Sequence, residues 1–167
     1  MTEKEIMQRA LELARQAERE GEVPVGAVIV REGRILSEGR NTREQTHSAL
    51  GHAELEAIRA ACLRLGRWRL DDCEIYVTLE PCPMCAGAIL NARLRRVVYG
   101  AFDNKMGACG GRVNLFKCGF DAHPLVECGF MEEECAAVMR EFFRKIRGPG
   151  KNRPECEKKE IDDNGRK

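Results

Sequence analysis

One histidine and two cysteines stand at a spacing that could hold a metal ion. His52 precedes Cys82 by thirty positions, and Cys85 follows Cys82 on the first turn of a predicted helix. Two thiolates and one imidazole are preferred zinc ligands, and three protein ligands leave a fourth tetrahedral position for water. The positive end of the helix dipole favours the thiolate form of both cysteines. The pattern therefore predicts a catalytic zinc site and not a closed structural one.

A carboxylate stands beside these predicted ligands. Glu54 is two residues from His52, which is too close for a second ligand on the same ion but suits a group beside the water. Zinc lowers the pKa of a bound water from 15.7 to roughly 7, which creates a nucleophile at neutral pH. We expect Glu54 to shuttle protons: it takes them from the water and delivers one to a ring nitrogen and one to a departing amine.

Each part of this pattern, taken alone, has a simpler explanation. A lone histidine is more often structural, and a Cys-x-x-Cys pair also occurs in thioredoxin-like redox proteins. A closed zinc site would need a fourth ligand, and four residues without the spacing of a tight ligand pair are available: Cys109, Cys118, His123 and Cys128. His-x-Glu together with Pro-Cys-x-x-Cys is far more specific, because it is the described signature of zinc nucleobase deaminases, whose Glu is not a ligand.

The elements that must position these residues alternate along the chain. A capping box at Thr2–Glu5 begins an amphipathic helix that ends near Gly21, residues 25–30 form a buried strand, and a turn at 31–34 leads into a second strand at 35–36. The later predicted elements are a helix over Ala53–Leu65, a strand over Ile75–Leu79, a helix from Pro81 through Asn91, strands over Arg96–Gly100 and Leu125–Val126, and a helix over Glu132–Arg147. This order predicts an α/β fold whose sheet is largely parallel, with helices on both faces.

Length and composition predict one globular domain. The 167 residues fit a domain over residues 1–148, and the charged residues 149–167, with one large aliphatic side chain, predict a disordered tail. The net charge of +1 excludes a uniformly basic nucleic-acid coat protein. We expect a cytoplasmic protein without membrane contact, because no apolar run is long enough for a membrane span and no apolar region follows the charged N-terminus. The nine cysteines, an odd number, are interpreted as thiols or metal ligands.

From about Ile6 to Arg147, the sequence resembles the bacterial tRNA-specific adenosine deaminases of the cytidine-deaminase-like superfamily. The stretches that carry the resemblance are Val23–Val28, Asn41, His52–Glu54, Tyr76–Ala88, Arg96–Ala101, Asp103, Lys105, Gly107, Glu133–Ala136 and Phe142–Arg144. The resemblance implies a three-layer α/β/α cytidine-deaminase-like fold with a mostly parallel mixed sheet. It also implies zinc-dependent conversion of the wobble adenosine of a tRNA anticodon loop to inosine, with loss of ammonia.

The resemblance further implies roles for individual residues. Asn41 would hydrogen-bond the extruded base, and Val25 would pack beside it. Backbone groups near Cys82 would help to hold the tetrahedral intermediate, while Asp103 and Lys105 would touch the nucleotides that flank the target. The family is dimeric, so the resemblance implies a homodimer.

The last predicted helix is basic. It and the residues after it offer many cations against one acid, Glu141: Arg140, Arg144, Lys145, Arg147, Lys151 and Arg153. This predicts either a surface for RNA phosphates, with Arg144 as a substrate contact, or an ordinary solvated helix face. Phe142 and Phe143 are adjacent and point in different directions. We expect one of the two rings to lie in the core. The other, which we take to be Phe143, would cover the base or stack on a nucleotide.

Two loops depart from the family pattern. Residues 46–51 lack its Asp-Pro pair, and residues 109–124 replace its run toward an Asn-His pair. Both segments lie where substrate or partner contacts are expected, and neither includes a predicted ligand or Glu54. The alternative is therefore a deaminase with the same zinc chemistry that acts on a free nucleobase or nucleoside of the guanine, cytosine or adenosine type. A non-catalytic zinc module or RNA-binding protein would have no use for Glu54.

Overall fold

A computed structural model describes residues 1–147 of the chain. The predicted tail at 149–167 lies outside the described residues. The elements are, in chain order, α1 (Glu3–Arg19), β1 (Gly26–Arg31), β2 (Arg34–Arg40), α2 (Ala53–Leu65), β3 (Cys73–Leu79), α3 (Pro83–Ala92), β4 (Arg96–Ala101), a short 3-10 helix (Leu115–Lys117), β5 (Leu125–Cys128) and α4 (Glu132–Arg147). Among these helices none is long and apolar enough to cross a membrane.

Five strands of the described region form one mixed sheet in the order β2-β1-β3-β4-β5. β1 pairs antiparallel with β2 and with β3, whereas β4 runs parallel to both β3 and β5. The predicted mixed sheet is confirmed, although antiparallel pairs make up half of it. The reason is the tight turn at Glu32 and Gly33, whose φ angles of 51° and 70° return β2 beside β1 as a hairpin.

Helices cover both faces of the sheet, as predicted. α1 and α4 pack on one face, against strand residues such as Val28, Tyr76 and Val98. α2 and α3 pack on the other face, against the alternate residues, including Ile29 and Val77. Because both faces are buried, β1, β3 and β4 have long apolar runs instead of an alternation of apolar and polar residues.

The start of α3 differs from the prediction. The helix begins at Pro83, two residues after the expected Pro81. Cys82 precedes a proline, whose ring disfavours helical backbone at that position, and it is extended with φ −71° and ψ 172°. Cys82 is thus the N-cap residue, and Cys85 alone of the two cysteines lies within the first turn.

Two glycines allow the helices to touch the sheet backbone. A Cβ at Gly26 would lie 2.1 Å from the carbonyl oxygen of Ala10 in α1, and a Cβ at Gly39 would lie 2.1 Å from that of Ala53 in α2. The first turn of α2 is therefore seated directly on β2.

Gly39→Ala is expected to lower the free energy of unfolding by about 3 kcal/mol, because the added methyl meets backbone that cannot move away. Urea denaturation measures the loss. Gly87→Ala in α3 is the matched control, since nothing lies within 4 Å of its added Cβ, and the helix there should gain up to about 1 kcal/mol. Equal stability of the two variants would contradict the close packing.

Candidate metal centre and active site

The chain segments that carry the predicted site residues meet at one edge of the sheet. β3 and β4 are parallel, so both end at this edge; β1 is antiparallel to β3 and therefore begins there, and β2 ends there. The loops before β1, after β2, after β3 and after β4 thus converge. We call this the site edge. The carboxyl ends of parallel strands are the usual place for ligands in α/β proteins.

The three predicted ligands lie together at the site edge, on the N-termini of two helices. His52 is the N-cap residue of α2 and Cys82 that of α3, and neither side chain caps its own helix. The Sγ atoms of Cys82 and Cys85 lie 3.7 and 3.5 Å from Nδ1 of His52. Tetrahedral zinc with ordinary Zn–S and Zn–N bonds requires an S···N distance of about 3.5 Å. The donor set therefore fits zinc in kind and in spacing.

The electrostatics of the cluster favour a cation. The Cys85 thiol and the His52 imidazole donate to the Cys82 sulfur and lower the pKa of Cys82 to about 4, against the effect of burial. The Cys82 thiolate and burial in turn raise the pKa of Cys85, and the same thiolate raises that of His52. Two sulfurs that compete for one proton are the arrangement that a divalent metal ion relieves.

Glu54 lies in the first turn of α2, with 3% of its surface exposed. Burial raises the pKa of its carboxyl to about 7, and its neighbours include the Cys85 thiol. A carboxyl group with a pKa near neutrality can both accept and release a proton at physiological pH. The site thus combines three potential metal ligands with a buried carboxyl group.

The alternative zinc ligands take no part in the cluster. Within residues 1–147, the only group of potential ligands at metal-binding distance is His52, Cys82 and Cys85. Cys109 is buried, while Cys118 and Cys128 are exposed thiols. The described residues thus bring together three potential ligands.

Comparisons with known proteins agree with this geometry. Residues 1–101 match the cytidine and deoxycytidylate deaminase zinc-binding region. The chain is 46% identical over 149 residues to the tRNA-specific adenosine deaminase of Bacillus subtilis (strain 168), over 88% of this chain and 92% of that protein. The chain belongs to this family of zinc-dependent deaminases. Zinc is accordingly its cofactor.

Further family members and solved structures extend the comparison. The tRNA-specific adenosine deaminase of Agrobacterium fabrum (strain C58) is 45% identical over 85% of this chain and 94% of its own length. A structure from a study of A-to-I editing by tRNA:A34 deaminases superposes with a TM-score of 0.79 and 43% identity, over 81% of this chain and 99% of that one. The structure of the guanine deaminase of Bacillus subtilis gives a TM-score of 0.59 and 45% identity, over 61% of this chain and 66% of that one.

Asn41 and Val25 lie together at the site edge. The backbone N–H of Asn41 donates to the carbonyl of Val25 at 3.1 Å. The Asn41 side chain donates to the carbonyl of Val23 and accepts from the backbone N–H of Arg43. These bonds fix the orientation of the amide and leave it one further N–H to donate.

Asp103 and Lys105 lie on the loop that follows β4 at the site edge. Oδ1 of Asp103 accepts from the backbone N–H groups of Lys105 and Met106, which closes a tight turn. The Lys105 side chain is exposed. One carboxylate oxygen of Asp103 thus shapes the loop, and the other is not used by this turn.

Phe143 and Arg144 lie on α4, away from the metal cluster. They line an open groove of about 410 Å³ with Met139, Arg140 and Arg147. Phe142 is in the core and Phe143 is 38% exposed, as the adjacent pair predicted. In the described region α4 contacts α1, β3 and β4, but neither α2 nor α3. The fold of one chain therefore does not bring these two residues against the cluster.

An ion pair nevertheless places the end of α4 on the side of the site edge. Lys145 pairs with Glu18 on the last turn of α1 at 2.6 Å. α1 begins beside the hairpin turn, where the amino group of Met1 donates to Gly33, and so it ends toward the site edge. The last turn of α4 thus lies near the end of α1, on the side of the site edge.

Two buried carboxylates at the site edge were missed by the sequence reasoning. Glu22 accepts from the backbone N–H groups of Glu44 and Gln45, and so holds the loop after β2. Glu80 accepts from three backbone N–H groups of the loop after β4: those of Asp103, Cys109 and Gly111. A signal was available for Glu80, which stands between Leu79 and Pro81 at the end of an apolar strand, where charge is rare unless it is satisfied. Glu22 follows a charged stretch and gave no such signal.

Proposed function

We propose that the protein hydrolytically deaminates the wobble adenosine of a tRNA anticodon loop to inosine. The observation that carries the proposal is the cluster of His52, Cys82 and Cys85 beside a buried carboxyl, Glu54, whose pKa is about 7. Relatives that match over nearly their whole length are tRNA-specific adenosine deaminases. Since the substrate would be tRNA, we propose that the protein works in the cytoplasm.

The proposed mechanism assigns the metal to His52, Cys82 and Cys85. When bound there, zinc lowers the pKa of a water molecule to about 7 and so prepares it to attack C6 of the base. Glu54 takes the proton from the attacking water and gives it to N1 of the ring. It then carries the second proton to the amino group, the C6–N6 bond breaks, and ammonia leaves. The buried position of Glu54 keeps this transfer away from bulk solvent.

The remaining loops of the site edge hold the base and its neighbours. We propose that the free N–H of Asn41 reads the edge of the extruded base and that Val25 packs against it. We propose that backbone N–H groups near Cys82, at the start of α3, help to hold the tetrahedral intermediate. Asp103 and Lys105 would contact the flanking nucleotides from the loop after β4.

The groove on α4 is the proposed contact for the RNA backbone. It combines three guanidinium groups with an exposed aromatic ring, which suit phosphates and an unstacked base. The chain is proposed to act as a homodimer. A dimer would also allow the groove of one copy to serve RNA that is bound at the site of the other.

Replacing both Arg144 and Arg147 with alanine is expected to raise KM for an anticodon stem-loop about tenfold and to change kcat less than about threefold. The slope of log affinity against log salt should fall by roughly two, because two phosphate contacts are lost. Arg34→Ala is the matched control: this exposed arginine lies at the hairpin turn, at the opposite end of β2 from the site edge. An unchanged salt slope in the double variant would show that the groove does not contact RNA phosphates.

The function itself is tested with zinc-loaded protein and an anticodon stem-loop that carries adenosine at position 34, beside free adenosine, guanine and cytosine. Inosine in the RNA and ammonia from each small substrate are measured. We expect inosine at position 34 alone. Ammonia from guanine only would establish the second candidate function, that of a free-base deaminase. The similarity to a guanine deaminase structure is the observation that supports this candidate.

A further inference from the structure

Glu80 is a buried carboxylate with an unusual set of partners. It is 2% exposed, and no Lys, Arg or His of residues 1–147 forms an ion pair with it, since it has no part in the salt bridges of the described chain. Its Oε1 accepts from the backbone N–H groups of Cys109 and Gly111 at 3.0 and 2.7 Å, and its Oε2 from that of Asp103 at 3.0 Å. Buried charge is costly unless it is satisfied in this way.

The loop after β4 is built around this carboxylate. A Cβ at Gly107 would lie 2.4 Å from Oε2 of Glu80, and a Cβ at Gly111 would lie 2.3 Å from the same atom. Side chains are therefore excluded at both positions, and the backbone can close over the carboxylate. Ala108 and Cys109 of the segment 103–111 are buried in the core, and the hydrogen bonds to Glu80 hold the backbone at both ends of the segment.

The same carboxylate ties the loop to the metal cluster. Glu80 stands two residues before Cys82, and the backbone N–H of Ala108 donates to the carbonyl of the intervening Pro81 at 2.8 Å. The Asp103 end of the loop, which carries the proposed contacts to flanking nucleotides, is held by Oε2, while the far end is held by Oε1. The Glu80 side chain thus links both ends of the loop to the residues directly before the predicted ligand Cys82.

We propose that Glu80 is a positioning residue that fixes the segment 103–111 relative to the metal ligands and so sets which nucleotides are accepted beside the target base. This inference rests on the proposed function and adds to it the determinant of flanking-sequence recognition. Glu80 touches neither substrate nor the reacting atoms in this account. It acts through the backbone of the loop.

Glu80→Gln tests the proposal with no change of volume. The amide retains one accepting oxygen, but its NH₂ group faces a backbone N–H, so one end of the loop is released. We expect KM for the anticodon stem-loop to rise about tenfold, kcat to change less than about threefold, and zinc to stay at one ion per chain. The preference for the native nucleotides on either side of position 34, over replaced ones, should fall at least about fivefold. A role in stability alone would not alter that preference.

Two matched variants separate position from general stability. Glu38→Gln makes the same chemical change on β2, where the Glu38 carboxylate binds Arg9 of α1. This variant should leave the preference for flanking nucleotides unchanged. Gly111→Ala keeps Glu80 but pushes the loop away from it, and it should reproduce the loss of preference even if Glu80→Gln fails to fold. An unchanged preference in folded Glu80→Gln or in Gly111→Ala overturns the proposal, as does a fall in kcat without a change in KM.

Hydrogen exchange separates this inference from the function on which it rests. In the zinc-loaded wild type, the amides of Asp103, Cys109 and Gly111 should be protected, and Glu80→Gln should lose protection at one end of the loop at least. If the wild type makes no inosine, the proposed function fails while the exchange result still decides whether Glu80 holds the loop. Full protection of these amides in Glu80→Gln would show that Glu80 does not hold the loop.

Discussion

Glu54→Gln is expected to lower kcat by about 10³-fold or more while the protein keeps one zinc ion per chain. Glutamine fills the same buried space in the first turn of α2, so the ligands His52, Cys82 and Cys85 should stay in place. It can neither take the proton of the attacking water nor deliver it to the base. Single-turnover formation of inosine, together with metal analysis of the same sample, measures both effects.

The matched control for this variant is Glu56→Gln. Glu56 lies two residues further along the first turn of α2 and pairs with Arg59 on the surface at 3.0 Å. It should show unchanged turnover and unchanged zinc content. If Glu54→Gln retains more than about a tenth of wild-type kcat, the proton passes through another group. If Glu54→Gln loses its zinc, the carboxyl group is needed to hold the metal ligands in place. The fall in kcat would then reflect loss of zinc and not loss of proton transfer.

The reason that the metal cluster could be predicted from sequence is local. His52 and Cys82 each directly precede a helix, and a helix start after a sheet element fixes the direction of the side chain within a few residues. Ligand type and spacing then suffice, because few other uses explain His-x-Glu and Pro-Cys-x-x-Cys together. Before residue 101, the helices follow from their caps and helical spacing, and β1, β3 and β4 follow from their apolar runs.

The loop between β4 and β5 could not be predicted in this way. Its path depends on Glu80, more than twenty residues earlier in the chain, whose carboxylate bonds the backbone of Asp103, Cys109 and Gly111. Backbone donors have no sequence signature. The glycines of the loop indicate only that another group packs closely against the backbone there, and not which group it is. The hairpin of β1 and β2 was predicted from its turn, but the antiparallel pairing of β1 with β3 was not, because it depends on contacts between distant segments and not on the pattern within each strand.

Cys82→Ala is expected to lose zinc and stability together. The ligand atoms of His52 and Cys85 belong to different helices, so a metal ion links the N-termini of α2 and α3 and stabilises only the folded chain. A metal present at a thousand times its dissociation constant adds about 4 kcal/mol to the free energy of unfolding. Removal of one of three ligands should abolish most of this gain. Urea denaturation with metal analysis measures it.

The control for Cys82→Ala is a thiol outside the site, because a lost sulfur can leave a cavity in either place. Cys135→Ala removes one on the opposite face of the sheet, where Cys135 packs against Gly100, and it should keep stoichiometric zinc with a smaller loss of stability. A strong chelator should lower the stability of the wild type to that of Cys82→Ala and should leave Cys82→Ala itself unchanged. Stoichiometric zinc in Cys82→Ala would show that the ligand set is wrong. Zinc loss without a loss of stability would show that α2 and α3 hold their positions without the metal.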